Sequence, residues 1–346
     1  PISDVGRINY IYRDSKPDSY NNLLSQLNIE NMMVYLSYKG VTTDETEHFF
    51  KINYSYTEDD ELYKALSAPF IYEDFMVAEE NPFIPKKASV PKRELADNIF
   101  PSSIIDKSGV KLYFGEDHEF LRPKGVIGLK IMLPKEKMSI HHRVYSRLYA
   151  ACVKESLNEL SYPAKQAGLN YNISDSYEGI LLDVNGYKES AMKLYELMLD
   201  HVVDFSITSE QFDAIKDKIV RDYENFALSD AHQQTREISS DVMFGVKYTW
   251  EDALPVVKES SLKVLKEYSR SLYSKTFVEA MVYGDFKESD ARKVVQLFNQ
   301  KTNTEPIERD QAFDISYLQF SGPETIQYTN DLLVNNSCFF RKYYIG

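Results

Sequence analysis

Six histidines, His48, His118, His141, His142, His201 and His232, are the side chains through which this sequence could hold a catalytic metal. A zinc hydrolase needs two imidazoles one helical turn apart, so that both reach one ion, and a glutamate to activate water. His118–Glu119 opens like H-E-x-x-H, but position 122 is Arg122. Glu47–His48 closes like the inverted H-x-x-E-H, but Asp44 stands where the first histidine is required. Both near-matches fail at a ligand. His141–His142 falls at the start of a helix, where adjacent side chains diverge by about 100° and cannot chelate one ion. The pair reads as an exposed feature of the helix start. His201, beside Val202 and Val203, reads as packed or half-exposed, and His232, after Ser229–Asp230–Ala231, as a loop or cap residue.

Other chemistries fare no better. There is no G-x-S-x-G, and Cys152 lies on an apolar helix face where a thiol behaves as a small hydrophobe. No carboxylate pair is marked as a glycosidase dyad. Gly125–Val126–Ile127–Gly128 is too short a glycine spacing for a phosphate loop and lies in a strand. The sequence therefore assigns no catalytic, cofactor-binding or metal-ligating residue.

The elements that would position any chemistry alternate between two periods. Ser139 is an N-cap for a helix carrying Tyr145, Tyr149, Cys152, Val153, Leu157 and Leu160 on one face, ended by Pro163 and Gly168. Leu169, Tyr171 and Ile173 alternate with Asn170, Asn172 and Ser174, and a turn at Asp175–Gly179 leads to Ile180, Leu182 and Val184, which predicts a hairpin. A second helix buries Ala191, Leu194, Tyr195, Met198 and Val202. A third opens on the capping-box pattern Thr208–Gln211 and continues through Phe212, Ile215, Ile219, Tyr223 and Phe226. Helices and antiparallel strands in blocks predict an α+β fold, with helices packed on one face of a mostly antiparallel sheet.

Two weak internal echoes set the domain plan. A helix over about 19–27 leading to a strand Met32–Tyr38 is echoed by a helix over about 261–274 leading to a strand Phe277–Tyr283. Residues 315–346 read as strand, loop, strand, as does Val110–Met132. Between the first pieces, Pro82, Pro85, Pro91 and Pro101, with the basic pairs Lys86–Lys87 and Lys92–Arg93, predict an extended polar connector. The expected division is 1–80, the end of one domain; 81–109, the connector; 110–306, a complete domain; and 307–346, the opening strands of another. Domain pieces of that kind leave sheet edges open, so self-association is expected.

Composition narrows the partners. With 346 residues and 43% hydrophobic content the chain can bury a sizeable core. A formal net charge of −13, with no basic run, argues against nucleic acid. Acidic residues concentrate between Asp44 and Glu80, as a solvated surface. No apolar run approaches the ~20 residues that span a bilayer. The opening PISDVGRINY has no secretory pattern and no domain start, so the chain is expected to be part of something longer. Two cysteines, Cys152 and Cys338, suggest no disulfide framework and favour a reducing, cytoplasmic compartment.

Several stretches, in order, resemble the insulinase/pitrilysin zinc peptidases. Leu27–Val34 resembles the end of the family's second domain, and Asn81–Pro85 the entry to its connector. Leu112–Lys124 is similar to the third domain's first strand and acidic loop. Glu155–Leu160, Tyr162, Ala164, Ala167–Gly168–Leu169 and Gly186–Tyr187 follow that domain's pattern. Asn335–Cys338 through Tyr343–Tyr344 resembles the start of the fourth. The resemblance implies tandem insulinase-type domains, four in the whole enzyme, closing as two halves around a chamber. It implies zinc, with the inverted motif in the first domain, and a key Arg and Tyr in the fourth, both outside this chain. The chain would then be the non-catalytic middle section of a zinc metalloendopeptidase, walling the chamber around peptide substrates, inactive alone and completed by the missing N- and C-terminal domains. The alternatives are a metal-free paralogue that binds peptides or acts as a scaffold, and an unrelated α+β interaction domain.

Overall fold

Residues 16–68, 79–86, 88–89, 92–94, 100–244, 248–329 and 331–343 are described by the computed structural model. Lys87 and Pro91 of the connector, and Tyr344, lie outside them. The chain divides into two compact units, Pro1–Glu79 and Glu80–Gly346.

In the first unit, helix α1 (Pro17–Ser25) has proline in its first turn, where the missing N–H costs nothing. A single 3-10 turn, Ile29–Asn31, follows, capped by Asn28 Oδ1 accepting the Asn31 amide at 3.0 Å. Strands β1 (Glu45–Thr46) and β2 (Asn53–Tyr54) pair antiparallel. Helix α2 (Asp60–Leu66) is capped by the Asp59 side chain. The strand expected over Met32–Tyr38 does not form: these residues run without a ladder partner, with Met33, Tyr35 and Leu36 exposed. β propensity makes a strand only where a neighbouring strand takes up its backbone groups, and among the described residues none does, Met32 O being met only by the Tyr63 hydroxyl at 3.0 Å.

The second unit is built on a seven-stranded sheet. Its strands are β3 (Ser102–Lys107), β4 (Val110–Glu116), β5 (Lys124–Met132), β6 (Asn170–Asp175), β7 (Gly179–Tyr187), β8 (Lys275–Gly284) and β9 (Glu305–Pro306). They lie in the order β3-β4-β8-β5-β7-β6, with β9 pairing β8. The β4–β8 and β8–β9 pairs are parallel and the rest antiparallel. Ile127, Leu129 and Ile131 of β5, Ile180, Leu182 and Val184 of β7, and Val278, Ala280 and Val282 of β8 are buried on one face. Helices α3 (Ile140–Ser156), α5 (Lys188–Val203) and α10 (Glu288–Thr302) pack there. Helices α4 (Asn158–Gln166), α6 (Ser209–Phe226), α7 (Ala231–Met243), α8 (Trp250–Glu259) and α9 (Leu262–Leu272) complete the unit, with α6, α8 and α9 lying against α3. This is the α+β architecture expected, with helices on one face of a mostly antiparallel mixed sheet.

Local chemistry explains most boundaries. Ser139 Oγ accepts the His142 amide at 3.1 Å and starts α3. The Thr208–Gln211 capping box is formed in both directions. Pro163, expected to end a helix, lies inside α4, because α3 stops at Leu157 and the chain re-enters a separate helix there. Residues 102–107, read as connector, form the edge strand β3. Pro101 immediately precedes it, so its missing donor is not needed in the ladder. The connector is also less solvent-borne than its prolines suggest: Phe83 is fully buried, Asn81 Nδ2 donates to Pro163 O at 2.7 Å, and Arg93 pairs with Asp285 at 3.0 Å. The strand–loop–strand expected over 315–346 is absent among the described residues, of which only Tyr317 makes an isolated bridge, to Phe244.

Two positions show what the sheet and its β4–β5 loop demand of single residues. Gly186 has φ +146°, and a Cβ there would lie 2.2 Å from Leu169 Cδ2. In the β4–β5 loop, the buried Asp117 accepts the amides of Glu119, Phe120 and Arg122 at 3.1, 2.9 and 3.0 Å. Burial pushes the Asp117 carboxyl upward, but these three donors and the Arg93 guanidinium outweigh it and hold the group below the ordinary 3.8. Its contribution to stability is therefore complete above the ordinary value and lost as pH falls through the lower, folded-state value. Protection of the Phe120 and Arg122 amides, relative to their intrinsic exchange rates, should fall only below pH 3.8, ahead of that of the β5 core amides. Asp117→Asn should lower stability by about 1–3 kcal/mol in a denaturant titration at neutral pH. Gly186→Ala should cost more than about 1 kcal/mol in the same titration, since both φ and contact oppose it.

Candidate functional site: the uncovered sheet face

The strand register that buries one face fixes the other. Gly128 on β5 stands between Asp183 on β7 and Met281 on β8, with Asn172 beyond Asp183 and Tyr113 beyond Met281. The next row along the strands is Ser174, Leu181, Lys130, Glu279 and Lys111, and on the other side Asn170, Asn185, Val126, Tyr283 and Gly115. All of these are half-buried or exposed, and Met281 is 41% exposed. Gly115 lets the Tyr283 ring approach the sheet, since a Cβ there would lie 2.8 Å from Tyr283 Cδ2. Lys130 reaches Glu178 at 2.6 Å, and Asn172 Nδ2 donates to Asp183 at 3.5 Å. The surface thus mixes amides, paired charges and apolar patches. Such a face can hold an unfolded peptide by van der Waals contact and side-chain hydrogen bonds.

The histidines sit in separate local settings, His48 in the first unit and the other five in the second. His48 is exposed against Phe49. Its neighbour Glu47 is engaged locally: amides of Phe49 and Phe50 donate to the carboxylate and lower its pKa. His118 Nδ1 lies 2.7 Å from the Glu94 carbonyl, and its Nε2 3.7 Å from Glu116. His201 is half-buried, with Nδ1 3.0 Å from Ser156 Oγ, and His232 is exposed in the first turn of α7.

His141–His142 requires correction. His141 is exposed, but His142 is buried, at the third position of α3, where it turns inward onto Tyr268 of α9; its Nδ1 lies 2.8 Å from the Tyr268 hydroxyl. Burial, with Lys137 and Arg143 nearby, lowers its pKa to about 4. A pair of identical residues gave no sign of which one faces inward; only the phase set by the Ser139 cap could have told. Cys152 is buried and its thiol is pushed up to about 12, so it is inert as a nucleophile. Among the described residues, no group of three or more His, Cys, Asp or Glu side chains is placed to hold a metal ion. No helix there is long and apolar enough to cross a membrane.

The family description "Middle or third domain of peptidase_M16" matches residues 1–256. Insulin-degrading enzyme of Homo sapiens is 26% identical over 352 residues, covering 99% of this chain and 34% of that protein. A Schizosaccharomyces pombe protein whose name describes a zinc protease is 21% identical over 308 residues, covering 88% of this chain and 30% of that protein. The A-factor-processing enzyme of Saccharomyces cerevisiae is 23% identical over 287 residues, covering 82% and 28%. The crystal structure of pitrilysin superposes with a TM-score of 0.65 at 19% identity, covering 86% of this chain and 32% of that one, and so shares the fold. The chain spans about a third of the length of the curated relatives it matches. With three quarters of its residues inside that description, the chain belongs to the M16 peptidase family, whose middle or third domain it matches.

Proposed function

We propose that this chain is the non-catalytic middle section of an insulinase-like zinc metalloendopeptidase, and that its uncovered sheet face walls the chamber enclosing peptide substrates. The observation that carries the reading is the two-sidedness of the sheet: helices bury one face, while among the described residues of the second unit the other presents Tyr113, Asp183, Met281 and Tyr283 together without a helical cover, Ile307 and Ala312 closing only its Met132–Phe277 end. A wall must be rigid, and this one has charges paired, as Lys130 with Glu178, beside the apolar surface of Met281 and Tyr283. In this reading residues 1–80 close a second domain, 81–101 connect, the third domain runs from β3 to residue 306, and 307–346 open a fourth. Zinc, its ligands and the residues that act on the scissile bond are supplied by other parts of the complete polypeptide, in a cytoplasmic setting. The chain's own residues then select and retain substrate, and the isolated chain does not hydrolyse peptides.

Kinetics of the complete polypeptide test this. Met281→Lys places a charge on the wall without touching the core, so stability should change by less than about 0.5 kcal/mol. KM for long peptides should rise about threefold to tenfold, corresponding to a loss of up to about 1.4 kcal/mol of binding. Turnover of a short fluorogenic peptide should not change. Unaltered kinetics for Met281→Lys and for Tyr283→Ala would place the substrate elsewhere. Metal analysis of the same preparation should give about one zinc per chain; a zinc-free native protein would favour the paralogue that binds peptides without cutting them.

A further inference from the structure

Gly115, Gly125, Gly179, Gly186 and Gly284 in the sheet are explained by the protein itself: a Cβ on any of them would come to 2.8 Å or less from a neighbouring atom. Gly128, in the middle of β5, is different. A Cβ there would make only ordinary contacts, 3.5 Å to Asp183 Oδ1 and 4.0 Å to Met281 O. Its φ is not positive, and β5 pairs with β7 and β8 past this point without a bulge. The fold therefore does not require glycine here, although glycine weakens a strand interior. A glycine so placed marks close approach by a ligand or another backbone, and among the described residues no such backbone covers it.

Gly128 lies between Asp183 on β7 and Met281 on β8, so the open face has a notch at its centre. The Asp183 carboxylate leans over this notch. Its Oδ1 is the atom nearest the Cβ position of Gly128, and its Oδ2 accepts only a long bond, 3.5 Å, from Asn172 Nδ2. Neighbouring charges on the face are engaged: Lys130 with Glu178 at 2.6 Å, Lys111 with Asp106 at 3.4 Å and Glu279 with Arg309 at 4.0 Å. Among the described residues no cation lies within ion-pair distance of Asp183. Across the notch, Met281 is exposed and offers apolar surface. A carboxylate beside an apolar side chain is complementary to a long basic side chain, whose stem is apolar and whose head is a cation.

We propose that Gly128, Asp183 and Met281 form a subsite for one basic side chain, lysine or arginine, of an extended peptide held on this face. The inference rests on the reading of the face as a chamber wall and names what that wall selects. The stem of the basic residue lies over the Gly128 backbone and against Met281, and its ammonium or guanidinium reaches Asp183 Oδ1. The step from β5 to β7, about 4.8 Å between neighbouring strands, is within reach of such a side chain. An uncharged side chain of the same length keeps the stem contact and loses the ion pair, and an acidic one is repelled. The wall thus reads charge at one point, while the rest of the face accepts varied sequences.

A long unstructured peptide free of lysine and arginine, into which one lysine is moved residue by residue, tests this with the complete polypeptide. Each lysine is compared with its uncharged counterpart norleucine. At one or two positions lysine should lower KM about twofold to fivefold, the range of an exposed ion pair, and glutamate there should raise it. Asp183→Asn, which keeps the shape of the side chain, should abolish the lysine preference. Gly128→Ala should reduce it while unfolding at the same temperature as the unaltered protein or higher, since nothing in the fold resists the methyl. No lysine preference at any position, a preference that survives Asp183→Asn, or early unfolding of Gly128→Ala would overturn the subsite. If Tyr283→Ala still raises KM in that event, the wall stands and only the subsite falls; if it does not, both fall.

Discussion

Everything in the second unit depends on the register in which β5 lies between β7 and β8. Ile127, Leu129 and Ile131 fall opposite Val184, Leu182 and Ile180 on one side, and opposite Val282, Ala280 and Val278 on the other. A slip of β5 by one residue would turn its three buried aliphatic side chains to the open face and drive Lys130 into the helices. Burial of aliphatic side chains at about 1.5–3 kcal/mol each makes that slip prohibitive. Gly125 and Gly186, directly paired, and Gly179 at the far end mark the strand ends where side chains would collide. The same register that builds the core thus composes the uncovered face, residue by residue.

This is why so much of the α+β unit could be read from sequence. The Leu169–Val184 hairpin, the inward stripe of α5 and the Thr208 capping box rest on local period and local hydrogen bonds, and the structure has all three. The failures are non-local. Met32–Tyr38 has strand composition but no ladder, and the described residues of 315–346 make a single isolated bridge, Tyr317 to Phe244. In the opposite direction, Ser102–Lys107 joined the sheet because β4 was available to receive it. Composition reported what these segments could do, and the presence of a neighbour decided it.

The site was less legible than the fold. That the histidine near-motifs are unconnected followed from missing ligands, and the structure puts His48, His118, His201 and His232 in separate local settings. The uncovered face was invisible because its members, Tyr113, Asp183, Met281 and Tyr283, come from three strands far apart in sequence and have no shared spacing. His142 was misjudged because an adjacent pair hides the helical phase. Its contact with Tyr268, over a hundred residues later, is tertiary. Asp117, likewise, was one acid in an acidic loop until its three backbone donors were seen. Family resemblance supplied the functional frame that no single residue here contains.

The central claim is that the uncovered sheet face meets the peptide and the helical face does not. Site-specific photocross-linking in the complete polypeptide tests it most directly, with a benzophenone side chain at position 281 on the open face and, in a second variant, at Lys218 on the solvent side of α6, where the side chain is 74% exposed. The account predicts that a long unstructured peptide cross-links from 281 and not from 218, and that excess unlabelled peptide suppresses the adduct. Equal labelling from both positions, or labelling from 218 alone, would contradict it.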